Sequence, residues 1–317
     1  MAQNYLLIDG NSLGHYYNNG ARLTVGSTEV QAIFGFLRGL RQQIANYQNF
    51  QPVVLWDGAS WRKMLLNSYK ENRDKAETKA EIKQQAAKTA YKKQAPYIEK
   101  ALRFLGIPQI RALNMEADDL GAILCDRYTA QGSKIVLLTG DKDWLQLIGP
   151  GVVWRDFINN RLVNQTNFEE MTGVSTIKQF LEIKALSGDM GDGVPGVGGI
   201  GAKGALEFVK EYGCFADFTN NVIFHKTIDL KKLPKKYRDL VEKEEKAMAY
   251  ALNIKLVDLR TTARPAVQNL IIDKGEPSYE KFHQFCELLM FRSITQELAE
   301  FLRIFPAFHY LNHLEAA

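Results

Sequence analysis

Cysteine is almost missing from this chain. Only Cys125, Cys214 and Cys286 occur among 317 residues, far apart and odd in number. That pattern excludes a disulfide framework and a thiolate zinc site, and reads as buried thiols in a reducing compartment. Long apolar runs are missing too: none could span a bilayer, and no basic-then-apolar leader opens the chain. No membrane partner is expected, and a cytoplasmic location is. The five histidines, His15, His225, His283, His309 and His313, show no pairing suited to zinc or to nucleophilic catalysis. They read as structural or surface residues. The Gly-x-Gly-x-x-Gly run at 196–201 follows a predicted helix, not a strand, which excludes a dinucleotide fold. Lys203 is followed by Gly204, not Ser or Thr, which excludes a P-loop.

What the chain does have is carboxylates in groups. Asp9, Asp57, the trio Glu116, Asp118 and Asp119, the pair Asp141 and Asp143, and the pair Asp189 and Asp192 lie along its first two thirds. Most sit where an apolar run stops. Residues 5–9, 52–56, 107–110, 134–138 and 152–154 read as short buried strands, and 28–47 and 116–131 as helices between them. Gly10-Asn11-Ser12 reads as a turn. Strands alternating with helices predict an α/β fold, a parallel sheet flanked by helices. Ligands bind such sheets beyond the carboxyl ends of the strands. Acids gathered there repel one another unless hard cations lie among them, so a magnesium-type centre is expected. Any one group alone reads as a helix cap or a solvated loop.

Net charge is only +4, but it is unevenly placed. From Arg62 to Arg103 stand twelve basic residues against five acids, so the remainder of the chain is net acidic. The pattern suits a polyanion led towards metal ions; taken alone, it also suits a solvated lysine-rich helix face. The stretch 75–94 is helix-prone but poor in large apolar residues, and Pro96 is expected to end it. Residues 62–103 therefore read as an insertion standing off the sheet. Beyond 179 the chain turns helical: 176–187, a glycine-rich turn at 188–201, 202–212, 238–252, and two more helices in 279–304. The turn and its helices read as a helix–hairpin–helix, whose glycines let the backbone approach a phosphate while Lys203 adds charge. Such contacts read backbone, not bases.

These motifs together resemble the flap endonuclease / 5′-nuclease family. The resemblance covers about residues 4–215. It rests on Leu-Ile-Asp9-Gly-Asn-Ser, Trp56-Asp57-Gly, Tyr69-Lys70-Glu-Asn72-Arg73, Glu116-Ala-Asp118-Asp119, Thr139-Gly-Asp141-Lys-Asp143, Gly188-Asp189-Met-Gly-Asp192 and Gly-Val-Gly-Gly-Ile-Gly-Ala-Lys203, in the family's order. It implies a PIN-like 5′-nuclease domain over 1–178 with a helical arch at about 62–103. A helix–hairpin–helix (H3TH-type) DNA-binding domain over 179–260 and a helical segment over 261–317 packing back on the core follow. Hydrolysis of phosphodiesters at 5′ ends, flaps and nicks is implied, with RNA–DNA hybrids as further substrates, by a monomer in a bacterial cell or a phage-infected host. Two Mg2+ ions are implied, with Mn2+ as a substitute. Asp57, Glu116, Asp118 and Asp119 would hold mostly one ion and Asp141, Asp143, Asp189 and Asp192 mostly the other, Asp9 assisting. Lys70 and Arg73 would face the scissile phosphate and Tyr69 would stack on a base. Lys184, Gly196, Gly198, Gly201 and Lys203 would contact DNA, and a potassium ion would sit on hairpin carbonyls at Val197 and Ile200. A PIN-like ribonuclease and a non-catalytic DNA-junction binder are the alternatives.

Overall fold

The computed structural model describes residues 2–74 and 78–316. The part of the basic insertion at 75–77 lies outside the described residues, as do the side chains of Asn72, Asp74 and 313–316. The first half of the chain alternates strand and helix. β1 (Asn4–Asp9), α1 (Gly10–Asn18), the small hairpin β2 (Thr24–Val25) and β3 (Thr28–Glu29), α2 (Gln31–Asn46), β4 (Phe50–Trp56) and α3 (Lys79–Phe104) come first. β5 (Gln109–Arg111), α4 (Ala117–Thr129), β6 (Ile135–Leu138), β7 (Val152–Asp156) and β8 (Arg161–Val163) follow.

Among the described residues, seven strands form one sheet in the order β8-β7-β6-β1-β4-β5, with β9 (Ile271–Asp273) at the far edge. β7, β6, β1, β4 and β5 run parallel; β8 and β9 are antiparallel additions. The chain builds outwards from β1 through β4 and β5, then returns to the other side of β1 for β6 and β7. That reversal leaves a crevice beyond the ends of β1 and β6, the place where doubly wound sheets take ligands. Both faces of the sheet are covered, and the strand period of two divides the apolar residues between them. Leu7, Val53, Leu55 and Leu137 join one core, while Leu6, Ile8, Val54, Trp56 and Leu138 join the other.

The second half is helical: α5 (Phe168–Thr172), α6 (Ile177–Ser187), α7 (Ala202–Tyr212), α8 (Phe215–Ile223), α9 (Lys235–Glu242) and α10 (Glu244–Val257), then, past β9, α11 (Tyr279–Leu288), α12 (Arg292–Thr295) and α13 (Leu298–Leu302). The expected division at 178/179 falls inside α6. Phe282, Phe285, Phe301 and Phe305 of the tail share a core with Phe36, Leu40, Ile98 and Leu102 of α2 and α3. Two buried side chains tie the end of α10 to the sheet end. Gln146 donates to Val257 O and accepts from Leu259 N, and Arg62 Nε donates to Leu256 O.

Several expectations are corrected. Gly10 opens a helix rather than a turn, because Asp9 caps it by accepting from Ser12 N. Pro96 does not end its helix: α3 runs 26 residues, roughly 39 Å at an α-helical rise. An interior proline costs about 3 kcal/mol, yet Tyr91 and Gln94 before it and Ile98, Ala101 and Leu102 after it are all buried, and that packing outweighs the cost. Gln94 also accepts from Ala32 N at the uncapped start of α2 and donates to Asn18 Oδ1, which locks α3 to α1 and α2. The span 238–252 is two helices meeting at Lys243.

Candidate metal centre

Each acid is delivered by an element end. Asp9 ends β1, Asp57 follows β4, Glu116 caps α4, and Asp141 follows β6. A single pocket is lined by Asp9, Asp57, Glu116, Asp118 and Asp141, together with Lys70 and Arg73. The floor is held by main-chain donors. Asp57 Oδ1 accepts from Ala117 N at 2.8 Å, which aims it at the start of α4, where the helix dipole favours negative charge. Asp9 accepts from Ser12 N at 2.9 Å and from Thr139 Oγ1 at 2.9 Å, linking the ends of β1 and β6.

Five carboxylates face two cations there, and the imbalance shows in their protonation. Burial, then the nearby charges of Asp57 and Asp141, pushes Asp9 up to about 7. Removal from water and then Asp143 pushes Asp141 up to about 6. Burial holds Asp118 well above the usual range despite Arg62, with Asp119 and Glu116 adding to the effect. Glu116 goes the other way: burial opposes its charge, but Lys70 and Arg62 outweigh it and hold the carboxyl low. Oxygens of Glu116, Asp118 and Asp119 lie within 4.8 Å of one another. A set of carboxylate oxygens, with three of the carboxyls raised first by burial, fits hard divalent cations.

The other acids are already engaged by side-chain cations. Lys184 bonds to Asp143, and its ammonium lies 3.1 Å from Asp189. Arg73 bonds to Asp192, and Lys70 bonds to Glu116 with Asp192 at 3.6 Å. Burial works against the Lys184 charge, but Asp143 outweighs it and raises the ammonium above its ordinary range. Lys184, expected to contact DNA, bridges two of the expected metal ligands in the metal-free fold. Lys70 holds a left-handed backbone, φ 59°, and its N–H bonds to Asp192 O at 2.8 Å, which fixes the gateway segment against the 189–192 loop.

Tyr69 departs from expectation. Tyr69 is 2% exposed and donates to Asp192 Oδ2 at 2.8 Å, so it buttresses the acid and offers no face to a base. Asp119 is fully buried, and its oxygens accept from Trp61 Nε1, from both terminal nitrogens of Arg62 and from Glu116 N. Its oxygens still lie within 4.8 Å of those of Glu116 and Asp118, and its partner Arg62 also bonds to Glu116 at 2.9 Å. Sequence reading passed over Arg62 in this role, and over His15, which lines the acid pocket on α1 with Asn11 and Ser12. The spacing of Ser12, His15 and Asn19, three and four residues apart, was the available signal.

At the hairpin, Gly198, Gly201 and Lys203 are exposed at the start of α7, where free N–H groups face outwards. Gly196 is buried, contrary to expectation. It packs against the backbone of Ser187 and Gly188, where a Cβ would come within 2.6 Å, so its lack of a side chain serves a close chain crossing. Val197 and Ile200 anchor the loop in the core with 5% and 4% exposure. The Val197 carbonyl accepts from Lys246 Nζ at 3.0 Å.

Fold and pocket define a metal-dependent hydrolase built on a doubly wound sheet. Residues 4–173 match the family described as 5'-3' exonuclease, N-terminal resolvase-like domain, and residues 175–274 match 5'-3' exonuclease, C-terminal SAM fold. The chain belongs to the 5'-3' exonuclease family, and it is a nuclease of that family. It is 28% identical over 283 residues to the 5'-3' exonuclease of Aquifex aeolicus, covering 86% of this chain and 87% of that one. It is 30% identical over 224 residues to the flap endonuclease Xni of Shewanella sediminis, covering 67% and 78%. A bacteriophage T5 flap endonuclease solved with DNA and metal ions superposes with a TM-score of 0.64 at 23% identity, over 95% of this chain and 100% of that one.

Proposed function

We propose that this nuclease hydrolyses DNA phosphodiesters at 5′ ends, flaps and nicks with two Mg2+ ions, Mn2+ substituting, in replication, primer removal or DNA degradation. RNA–DNA hybrids are further substrates in this reading, and one chain suffices. The observation that carries it is the pocket at the switch point, where Asp9, Asp118 and Asp141 are held above the ordinary carboxylate range beside Lys70 and Arg73. Asp57, Glu116, Asp118 and Asp119 would hold mostly one ion, with Arg62 holding Glu116 and Asp119 in place. Asp141, Asp143, Asp189 and Asp192 would serve the other, with Asp9 between the groups. When bound, such ions activate water and stabilise the leaving oxygen.

The chain's own cations do the rest. Lys70 and Arg73, which pair with Glu116 and Asp192, would turn to the scissile phosphate and balance its charge. The 5′ strand would pass beneath the exposed first half of α3, whose Lys79, Lys83, Lys88 and Lys92 supply the steering charge. The exposed Gly198, Gly201 and Lys203 would grip duplex phosphates, with the sheet domain doing the chemistry and α6–α10 the holding.

The test is product mapping on labelled flap, nicked, blunt and RNA-primed duplexes with Mg2+. The expected result is a cut at or near the junction, abolished by EDTA. Cleavage confined to single-stranded RNA would favour the PIN-like ribonuclease instead. Flap DNA bound but left intact would favour a junction binder.

A further inference from the structure

The hairpin was expected to hold a potassium ion on its main-chain carbonyls; the cation found there is a side chain of the protein. Lys246, in the first turn of α10, donates to Val197 O at 3.0 Å and to Gly198 O at 2.5 Å. Gly196, Gly198 and Gly199 have φ of 68°, 73° and 77°. Around these glycines the Val197 and Gly198 carbonyls converge on the one ammonium. Val197 and Ile200 are pinned in the core, so the carbonyls are held in place from beneath. A Cβ on Gly198 or Gly199 would stand 3.8 or 4.0 Å from the ammonium, an ordinary contact, so these positions need glycine for their φ and not for room.

Helix position argues that this contact is selected rather than incidental. A lysine in the first turn of a helix opposes the dipole, and the carbonyls it reaches supply the missing negative partner. An ammonium group and a potassium ion are of nearly the same size, and both are satisfied by carbonyl oxygens. A free ion placed on Val197 O would have to displace Lys246, so the donor set does not fit potassium as expected.

We propose that Lys246 is a tethered cation that organises the hairpin for a DNA phosphate, making this chain's grip on duplex independent of the monovalent ion supplied. Two of the ammonium's three donors lie on the loop, and the third is left for the phosphate. The inference rests on the proposed function for its DNA arm only.

The experiment uses the full chain, its Lys246→Met and Lys246→Gln variants, and labelled flap DNA in EDTA. Anisotropy is read at one ionic strength in KCl, NH4Cl, LiCl or choline chloride, and thermal melts of the free proteins are run in the same salts. The wild type should bind equally in all four. Lys246→Met should bind about tenfold more weakly in LiCl or choline chloride, the loss of about one charged hydrogen bond. K+ or NH4+ should restore most of that loss and raise the variant's melting temperature selectively. A wild type that needs K+, a variant equally weak in every salt, or variants that bind like the wild type would each overturn the proposal. The melts need no DNA: failure of the wild type to bind any flap would count against the proposed function, and absence of ion-selective stabilisation in both variants against Lys246.

Discussion

Asp9→Asn should make the metal-free protein more stable at alkaline pH and less stable in acid. Asp9 is 8% exposed and its carboxyl is pushed from 3.8 up to about 7. The folded state therefore keeps the proton that the unfolded chain has lost. Below about pH 4 both states are protonated and the site contributes nothing. From about pH 4 to about pH 7 the wild type loses about 1.4 kcal/mol per pH unit through this group, and the loss then levels off. The total approaches roughly 4 kcal/mol as a ceiling. Asparagine carries no charge and escapes it. Its carbonyl still accepts from Ser12 N, but its amide replaces the acceptor of Thr139, at about 1 kcal/mol. The variant should be less stable by about 1 kcal/mol at pH 4 and more stable by about 3 kcal/mol at pH 8. Urea melts of both proteins in EDTA across that range read the difference, in which groups common to both cancel. A difference that stays flat with pH would refute the reasoning, because it would mean that the Asp9 charge is already compensated in the metal-free fold.

Three further outcomes follow from the same contacts. Arg62→Met should destabilise by about 3–5 kcal/mol in urea melts, since it leaves Glu116 and Asp119 buried without their guanidinium; a loss under 1 kcal/mol would mean that Arg62 is not their partner. Lys70→Ala should slow single-turnover cleavage by about a hundredfold or more, as loss of a preorganised charge at a reacting phosphate does; a wild-type rate would remove Lys70 from the site. Divalent ion binding at pH 6.5 should release protons, because burial pushes the Asp9 carboxyl up to about 7, and the calorimetric enthalpy should vary with the buffer's ionisation heat; an enthalpy independent of buffer would contradict this.

The parts of the fold legible in the sequence were those set by local pattern. Buried parallel strands are short continuous apolar runs, and three of them stop at Asp9, at the residue before Asp57 and just ahead of Asp141, so the meeting of these acids followed from strand direction alone. The α7 boundaries followed from glycines on both sides. The illegible parts were set by partners distant in the chain. Arg62 and Asp119 are 57 residues apart and Lys184 and Asp143 are 41, and no periodicity announces either pair. Without Asp192, Tyr69 looked like a free aromatic. Pro96 misled for the same reason: its propensity is local, but the burial that overrides it comes from α1, α2 and α11. β8 and β9, three residues each, pair antiparallel at the sheet edges and are too short to show a period.

The central claim is that carboxylates from separate strand ends hold divalent ions at the switch point. Diffraction from crystals soaked in Mn2+, recorded at the manganese edge, tests it most directly. One anomalous peak is expected among Asp57, Glu116 and Asp118, and a second beside Asp141, Asp143 and Asp189, with the Lys184 ammonium moved off them. Soaked crystals with no peak in that crevice, or with manganese bound only elsewhere on the surface, would contradict the account.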